Sequence, residues 1–327
     1  MTTSFCPWVV EGQYRLFRCF MATMIGLLLW LCLPVGAQAA PVIGVVYPDV
    51  REPYHSIFST IIEGIGTELK LPQKHYQLQE QDSPTALYEW VEKEQIALVI
   101  SLGKHSQHII EAMPLKVPVV YGALAAVSNS EVKKGPGILL IPSPEMLFSR
   151  LKAYAPDMGT VLVVYNAEHN QWLIDNAREV AGELGMHLEA IPASNIREAA
   201  KIWHQAILNR EGKQYALWIL QDRSVVDDRV ILSMILKESW SRNIVAFSSN
   251  PAHVKRGVLF SLYPNNFNMG RSLGRLALQQ FQNGSFSAGL VPTIDVKEAF
   301  NTRTADHLRI DLTEDKLINI DLVFPRP

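Results

Sequence analysis

Val42-Ile43-Gly44-Val45-Val46-Tyr47 is a continuous apolar run closed by Pro48 and Asp49. A strand with one wet face alternates apolar and polar residues, whereas a run apolar at every position predicts a strand buried on both faces, as in a helix-covered parallel sheet. Outward from it, Ile57, Phe58, Ile61, Ile62 and Ile65 recur at the spacing of one helix face, which predicts a helix over 54–69. Ser83-Pro84 supplies an N-cap and a first-turn proline for a second helix reaching residue 94. A strand over 96–101, a helix over 104–112, and strands over 117–122 and 138–141 complete a first alternating series.

Ser143-Pro144 is another cap signal, for a helix ending at 154, and a second series starts at Thr160. It reads as strand 161–165, helix 171–184 closed by Gly185, strand 187–191, a helix capped by Ser194, strand 215–220, helix 225–240 and strand 244–247. The expected fold class is α/β, with two Rossmann-like lobes built on parallel sheets. Neither opening strand runs into a G-x-G-x-x-G turn and no G-x-x-x-x-G-K-[ST] is present, so dinucleotide and triphosphate binding have no sequence support.

Ahead of both series, Arg15 and Arg18 precede an apolar run over 21–33 and small residues ending Ala37-Gln38-Ala39-Ala40. That order predicts a secretory signal peptide over 1–39, cleaved after Ala39 or Ala40, and a periplasmic destination. A transmembrane anchor is the alternative, but the run is shorter than the roughly 20 residues a span requires, and Pro34 and Gly36 break it. Cys6, Cys19 and Cys32 all lie in the leader, so the mature chain carries no thiol for disulfides, metal or nucleophilic catalysis. Leu31 and Trp30 before Cys32 are too large for a lipoprotein site.

Without residues 1–39, which contain Arg15, Arg18 and Glu11, 28 basic residues face 31 acidic ones, a net charge of about −3. That balance offers no footprint for nucleic acid. No G-x-S-x-G, H-E-x-x-H or kinase-like set appears, so an enzyme is not expected and no catalytic residue or cofactor is assigned.

From Val254 the chain reads Val-Lys-Arg-Gly-Val-Leu-Phe-Ser-Leu-Tyr-Pro-Asn-Asn-Phe-Asn-Met-Gly-Arg. This resembles the substrate-binding proteins of ABC-type importers, in particular the tryptophan-binding-like subfamily, with its V-K-R-G strand entry and D-Y-Y-x-x-G-R helix start. Gln107, Pro118-Val119-Val120-Tyr121, Tyr165-Asn166 with Asn170, and Asp222 to Val225 match further family segments in order. The resemblance implies a type I periplasmic binding protein fold in which three hinge crossings join two lobes around a ligand. It implies lobe one over 41–142 plus 261–290, and lobe two over 143–260 plus 291–327. The chain departs from the family at Gly103, Ala125-Ala126-Val127, Gly137-Ile138-Leu139, Asn250 and Pro251.

In open α/β sheets ligands gather beyond the carboxyl ends of the strands. Lobe one offers Tyr47, Tyr54, Gly103, Lys104, His105, Gln107 and Tyr121 there; lobe two offers Asn166, Asn170, Asp222, Arg223, Ser248 and Asn250. Tyr47 and Tyr54 suit a clamp on a flat ligand or an edge cap of the sheet. Lys104 and His105 open a helix that could receive an anionic group or remain a solvated first turn. Asp222 could hold an ammonium or hydroxyl and Arg223 a carboxylate, or the two could pair or cap the next helix. His105 and His108 with only Glu111 fall short of a metal-ligand set, so no metal is expected, and Asp227 and Asp228 read as exposed helix surface. The expected partners are a small-molecule ligand and an inner-membrane ABC permease, with a sensor protein as the alternative; the chain is expected to be a monomer.

Overall fold

The structure is a computed structural model that describes residues 40–210, 214–284, 289–311 and 317–325; the leader expected over 1–39 lies outside them. Pro41–Pro327 forms one compact unit. It is built on two sheets.

The first sheet holds β1 (Val42–Pro48), β2 (Gln73–Leu78), β3 (Ile96–Leu102), β4 (Val119–Leu124), β5 (Gly137–Pro142) and β11 (Leu290–Thr293), in the order β11-β5-β4-β3-β1-β2. Every pairing in it is parallel. Helices α1 (Tyr54–Leu69) and α9 (Asn266–Asn283) cover one face, where Ile43, Val45, Leu98, Ile100, Ile61, Ile65, Met269 and Leu273 form one buried cluster. Helices α2 (Pro84–Lys93) and α3 (Lys104–Glu111) cover the other, around Val46, Val99, Leu87, Val91 and Ile110. This two-sided burial is what the unbroken apolar run of β1 called for.

The second sheet holds β6 (Thr160–Tyr165), β7 (His187–Pro192), β8 (Tyr215–Ile219), β9 (Val245–Ser248), β10 (Phe260–Pro264), β12 (Val296–Asn301) and β13 (Leu322–Phe324), in the order β13-β12-β10-β9-β8-β6-β7. Only the β10–β12 pairing is antiparallel. One face packs on α4 (Pro144–Tyr154) and α5 (Ala167–Glu183), the other on α6 (Ile196–Leu208), α7 (Ile231–Arg242) and α8 (Pro251–Arg256). A short helix, α10 (Thr302–His307), follows β12.

Three crossings join the lobes, after β5, after β10 and between β11 and β12. The Ser143 N–H donates to the Thr293 carbonyl at 2.8 Å, and the Asn265 N–H to the Asp295 carbonyl at 2.8 Å, so all three crossings are bonded side by side. β10 stays paired with β9 and β12 up to Pro264, and β11 with β5 up to Thr293. The second and third crossings therefore fall a few residues beyond the expected 260/261 and 290/291 boundaries.

Ser83 and Ser143 cap α2 and α4 as their sequence signals predict. The edge strand β2, Gln-Lys-His-Tyr-Gln-Leu, has no predicted counterpart, because an edge position accepts polar residues and shows no apolar run. The helix expected from 225 begins only at Ile231. Asp222 accepts the backbone N–H of Ser224, and Asp227 those of Arg229 and Val230, which holds 222–230 in side-chain-bonded turns that compete with helix.

Helices α1 and α9 touch at glycines. A Cβ at Gly64 would lie 2.1 Å from the Phe267 carbonyl oxygen, and one at Gly270 would lie 2.1 Å from that of Ile61. Backbone cannot yield as a side-chain tip can, so Gly270→Ala must push the helices apart. We expect it to lower stability by about 1–3 kcal/mol or more in urea unfolding; an unchanged midpoint would show that this close approach is dispensable.

Candidate functional site

Both sheets are doubly wound. Strand order reverses between β1 and β3 in the first and between β6 and β8 in the second, and the crevice outside such a reversal is where α/β sheets bind ligands. The crossings leave at the carboxyl ends of β5, β10 and β11, so the hinge lies at the same ends of the sheets as both crevices.

In the first lobe the crevice is made by the ends of β1 and β3. Gly103 is the N-cap of α3 at φ +83°, and a Cβ there would meet Phe58 at 2.9 Å, so both backbone and space demand glycine. Lys104, the first residue of α3, is ion-paired with Glu131 from the β4–β5 loop. Burial raises the Glu131 carboxyl, but Lys104 and the Ser128 N–H and hydroxyl together outweigh it and hold the group down at about 2. Among the described residues, eight buried side-chain polar atoms have no hydrogen-bond partner, and four of them fall in one turn: Ser101 Oγ, His105 Nε2, Ser106 Oγ and Gln107 Oε1. Unpaired buried polar atoms are costly, so their concentration at this strand end asks for a reason.

In the second lobe the crevice is made by the ends of β6 and β8. Asp222 is half-buried and accepts from Asn170 Nδ2 at 2.6 Å and from the Ser224 hydroxyl at 2.6 Å. The same Ser224 hydroxyl accepts from Asn166 Nδ2 at 3.1 Å, while Asn166 Oδ1 caps α5 at the Glu168 N–H. Four side chains from two strand ends thus fix one another before any ligand contributes. A cavity of about 360 Å³ lies beside them, lined in part by Asp222, Arg223, Asp228 and Asn250. Among the described residues no group of three His, Cys, Asp or Glu side chains is placed to hold a metal ion.

Family comparison agrees with this geometry. The model of the ABC transporter substrate binding protein family matches residues 78–319. The chain belongs to that family. A substrate binding protein with adhesive properties from Clostridium difficile, in its ligand-free, open form, is 16% identical with a TM-score of 0.58, covering 88% of this chain and all of that one. An ABC domain from Streptococcus pneumonia in complex with L-Trp is 16% identical with a TM-score of 0.49 (86% of this chain, 100% of that one). A conserved domain protein from Vibrio cholerae is 15% identical with a TM-score of 0.49 (87% and 99%). No curated protein matches. The fold is that of the type I periplasmic binding proteins. Family membership implies a small-molecule ligand and an ABC permease as partner, in a family of solute binders rather than enzymes.

Across this substrate binding protein the sequence-predicted residues divide. Tyr47, Gly103, Lys104 and His105 gather at the first crevice; Asn166, Asn170, Asp222 and Arg223 gather at the second. Tyr54 is 58% exposed at the start of α1. Asn250 caps α8 through the Ala252 N–H and lines the adjoining cavity. The other three are buried. Tyr121 packs with Leu124, Val127, Leu139 and Leu290, and burial, aided by the Glu111 charge, pushes its phenol up to about 12. Gln107 is fully buried and donates to Glu111 at 2.8 Å. Ser248 is fully buried and closes a relay that the sequence did not announce.

In that relay the Asn250 N–H donates to Ser248 Oγ at 3.1 Å, Ser248 Oγ lies 2.8 Å from His253 Nδ1, and His253 Nε2 lies 3.2 Å from Asp228 Oδ1. The carboxylate can only accept, so neutral His253 carries its proton on Nε2 and accepts the Ser248 hydroxyl's hydrogen bond at Nδ1. The set has the members of a hydrolytic triad, but a hydroxyl with no exposed surface that already accepts a backbone N–H is no nucleophile. Its work is to lock α8 under the cavity. Asp228, expected on a solvated helix surface, is the anchor that sequence spacing missed.

Burial holds the His253 imidazole below its ordinary 6.5, overcoming the pull of Asp228 and helped by Arg256. The unfolded chain therefore takes up a proton first as pH falls. The contribution to stability is complete above about 6.5 and is lost as pH drops through that value toward the lower folded one. Urea unfolding between pH 8 and pH 5 should show this loss, and His253→Gln should flatten the dependence; equal slopes would remove His253 as its source.

Proposed function

We propose that this protein is an exported solute-binding component of an ABC importer, and that it closes its two lobes on a small organic molecule held between the two crevices. The observation that supports this most directly is the pairing of opposite chemistries at the two strand-order reversals. The second lobe offers an Asp222 carboxylate oriented by Asn170, Ser224 and Asn166. The first offers Lys104 at a helix N-terminus, where it is ion-paired with Glu131, with unpaired buried polar atoms on His105 and Ser106. A ligand carrying both an ammonium or hydroxyl and a carboxylate, such as an amino acid or short organic acid, complements both ends. Tyr47 and Tyr54 flank the first crevice and would contact the ligand body. Tyr47 is edge-to-face with His75 at 6.5 Å, whereas Tyr54 is exposed.

Closure on such a ligand is a hinge rotation that shifts the population from open to closed. The leader over 1–39 would export the chain and be removed, and no helix among the described residues is long and apolar enough to cross a membrane. The mature protein would reach its permease by diffusion.

A thermal-shift panel of amino acids and small organic acids tests the reading. A true ligand at 100 times its dissociation constant should add about 2.7 kcal/mol and shrink the radius of gyration in solution scattering. Asp222→Ala should abolish the shift while the protein stays folded. A panel with no stabilising member and no contraction would overturn the solute-binding reading. N-terminal sequencing of the exported protein should begin at Ala40 or Pro41; an intact leader on the exported chain would overturn the processing step.

A further inference from the structure

A cavity of about 960 Å³ lies away from the crevice between the lobes. It lies in the second lobe among the C-terminal ends of α7 and α8, the start of α10 and the end of β13. These are the amino ends of β9 and β10, the opposite end of the sheet from Asp222 and Asn170. Among the described residues its charged lining is of one sign: Lys237, Lys255, Arg256 and Arg303 contribute to it, and no acidic side chain does. Among the described residues Lys237, Lys255 and Arg303 have no ion-pair partner, and Arg256 reaches only Asp228, at 3.9 Å.

The floor is apolar and preset. Trp240 stacks on His307 with centroids 3.7 Å apart and planes 5° apart, and His307 Nε2 is tied back to the Trp240 carbonyl at 2.8 Å. The Arg303 guanidinium sits over the same indole, 5.7 Å from its centroid. Even so, Trp240 keeps 41% of its surface open, and Phe324 adds a second aromatic edge. An indole held on one face by an imidazole and left partly open is a ready contact for a planar group. A rim of unneutralised cations around a concave apolar floor attracts an anion and desolvates it. The volume matches a small-molecule site rather than a flat macromolecular contact.

We propose that this groove is a second ligand site, for a small organic anion that pairs a planar or apolar body with a carboxylate, phosphate or sulfonate. It also gives a role to Lys255 and Arg256 of the Val-Lys-Arg-Gly stretch, which the crevice between the lobes does not use. The anion would sit against Lys255 and Arg303, its body on Trp240 and Phe324.

The probe pair anilinonaphthalene sulfonate and its uncharged counterpart N-phenylnaphthylamine separates anion recognition from simple apolar uptake. The sulfonate should bind saturably and about tenfold or more tighter than the neutral dye, the scale of one charge-assisted hydrogen bond. The doubly charge-reversed variant K255E/R303E should lose that preference, and K237E, altered at an exposed position, should weaken it with the fold intact. Asp222→Ala should leave dye binding unchanged, so failure here and failure of the interlobe reading are distinguishable. Equal binding of the two dyes, sulfonate binding indifferent to K255E/R303E and K237E, or its loss in Asp222→Ala would each overturn the proposal. Sedimentation with phosphatidylglycerol vesicles but not phosphatidylcholine vesicles, lost in K255E/R303E, would overturn it too, by assigning the groove to a membrane surface.

Discussion

Three chain crossings bonded edge to edge are the constraint on which the rest of the molecule depends. Thr293 and Asp295 of the third crossing accept from Ser143 of the first and Asn265 of the second. The Thr293 hydroxyl and the Asp295 backbone bond within the same turn, and the Asp295 carboxylate takes the Ser272 hydroxyl of α9 at 2.6 Å. Thr293, at the centre of this set, is fully buried. Lateral bonding of this kind resists shear between the lobes while leaving rotation about the bonded line soft. It also sets the carboxyl ends of both sheets at the same side of the hinge, which is what makes two separate crevices into one candidate site.

Within that frame the two halves of the candidate site differ in how far they are already satisfied. Asp222 has both oxygens engaged by neutral donors, which leaves its charge available and its direction fixed, the usual form of a preorganised recognition group. At the β3–α3 turn the polar atoms are buried but unpaired, and the one charged group, Lys104, is neutralised by Glu131. In the proposed reading the second lobe supplies orientation and the first supplies the interactions completed on closure.

The fold was largely legible because buried parallel strands announce themselves as unbroken apolar runs. β1, β3, β6, β8 and β9 all do so, and the cap signals at Ser83 and Ser143 fix two helix starts. What escaped were elements whose identity is set by partners distant in sequence. β2 is polar because it is an edge, and β12 is a strand because β10 and β13 flank it. The candidate site was legible only as strand ends. Nothing in the spacing of Ser248, His253 and Asp228 reveals their relay, since Asp228 reaches across from the turn before α7. Tyr121 and Gln107 show the converse: a residue at a strand end or first helical turn can point inward as easily as outward, and both are buried.

The loop between β4 and β5 extends this logic from geometry to motion. Glu131 ties it to Lys104 at the first turn of α3, and Lys134 ties it to Glu111 at 2.6 Å at that helix's last turn. From the same loop Asn129 donates to the Ala167 carbonyl and accepts the Trp172 N–H, while the Trp172 indole donates to the Val127 carbonyl at 3.3 Å and packs beside Tyr121 and Leu290. One segment therefore grips the opening turn of both helices that start at the crevices, α3 in one lobe and α5 in the other. A rotation about the hinge must either carry this loop with α5 and strain the Lys104–Glu131 pair, or hold it on α3 and break the Trp172 contacts. The first-lobe attachment is two ion pairs, Lys104–Glu131 and Lys134–Glu111, whereas the second-lobe attachment is made of neutral hydrogen bonds. The start of α3 and the start of α5 are thus tied to one loop, the one that carries Ala125-Ala126-Val127.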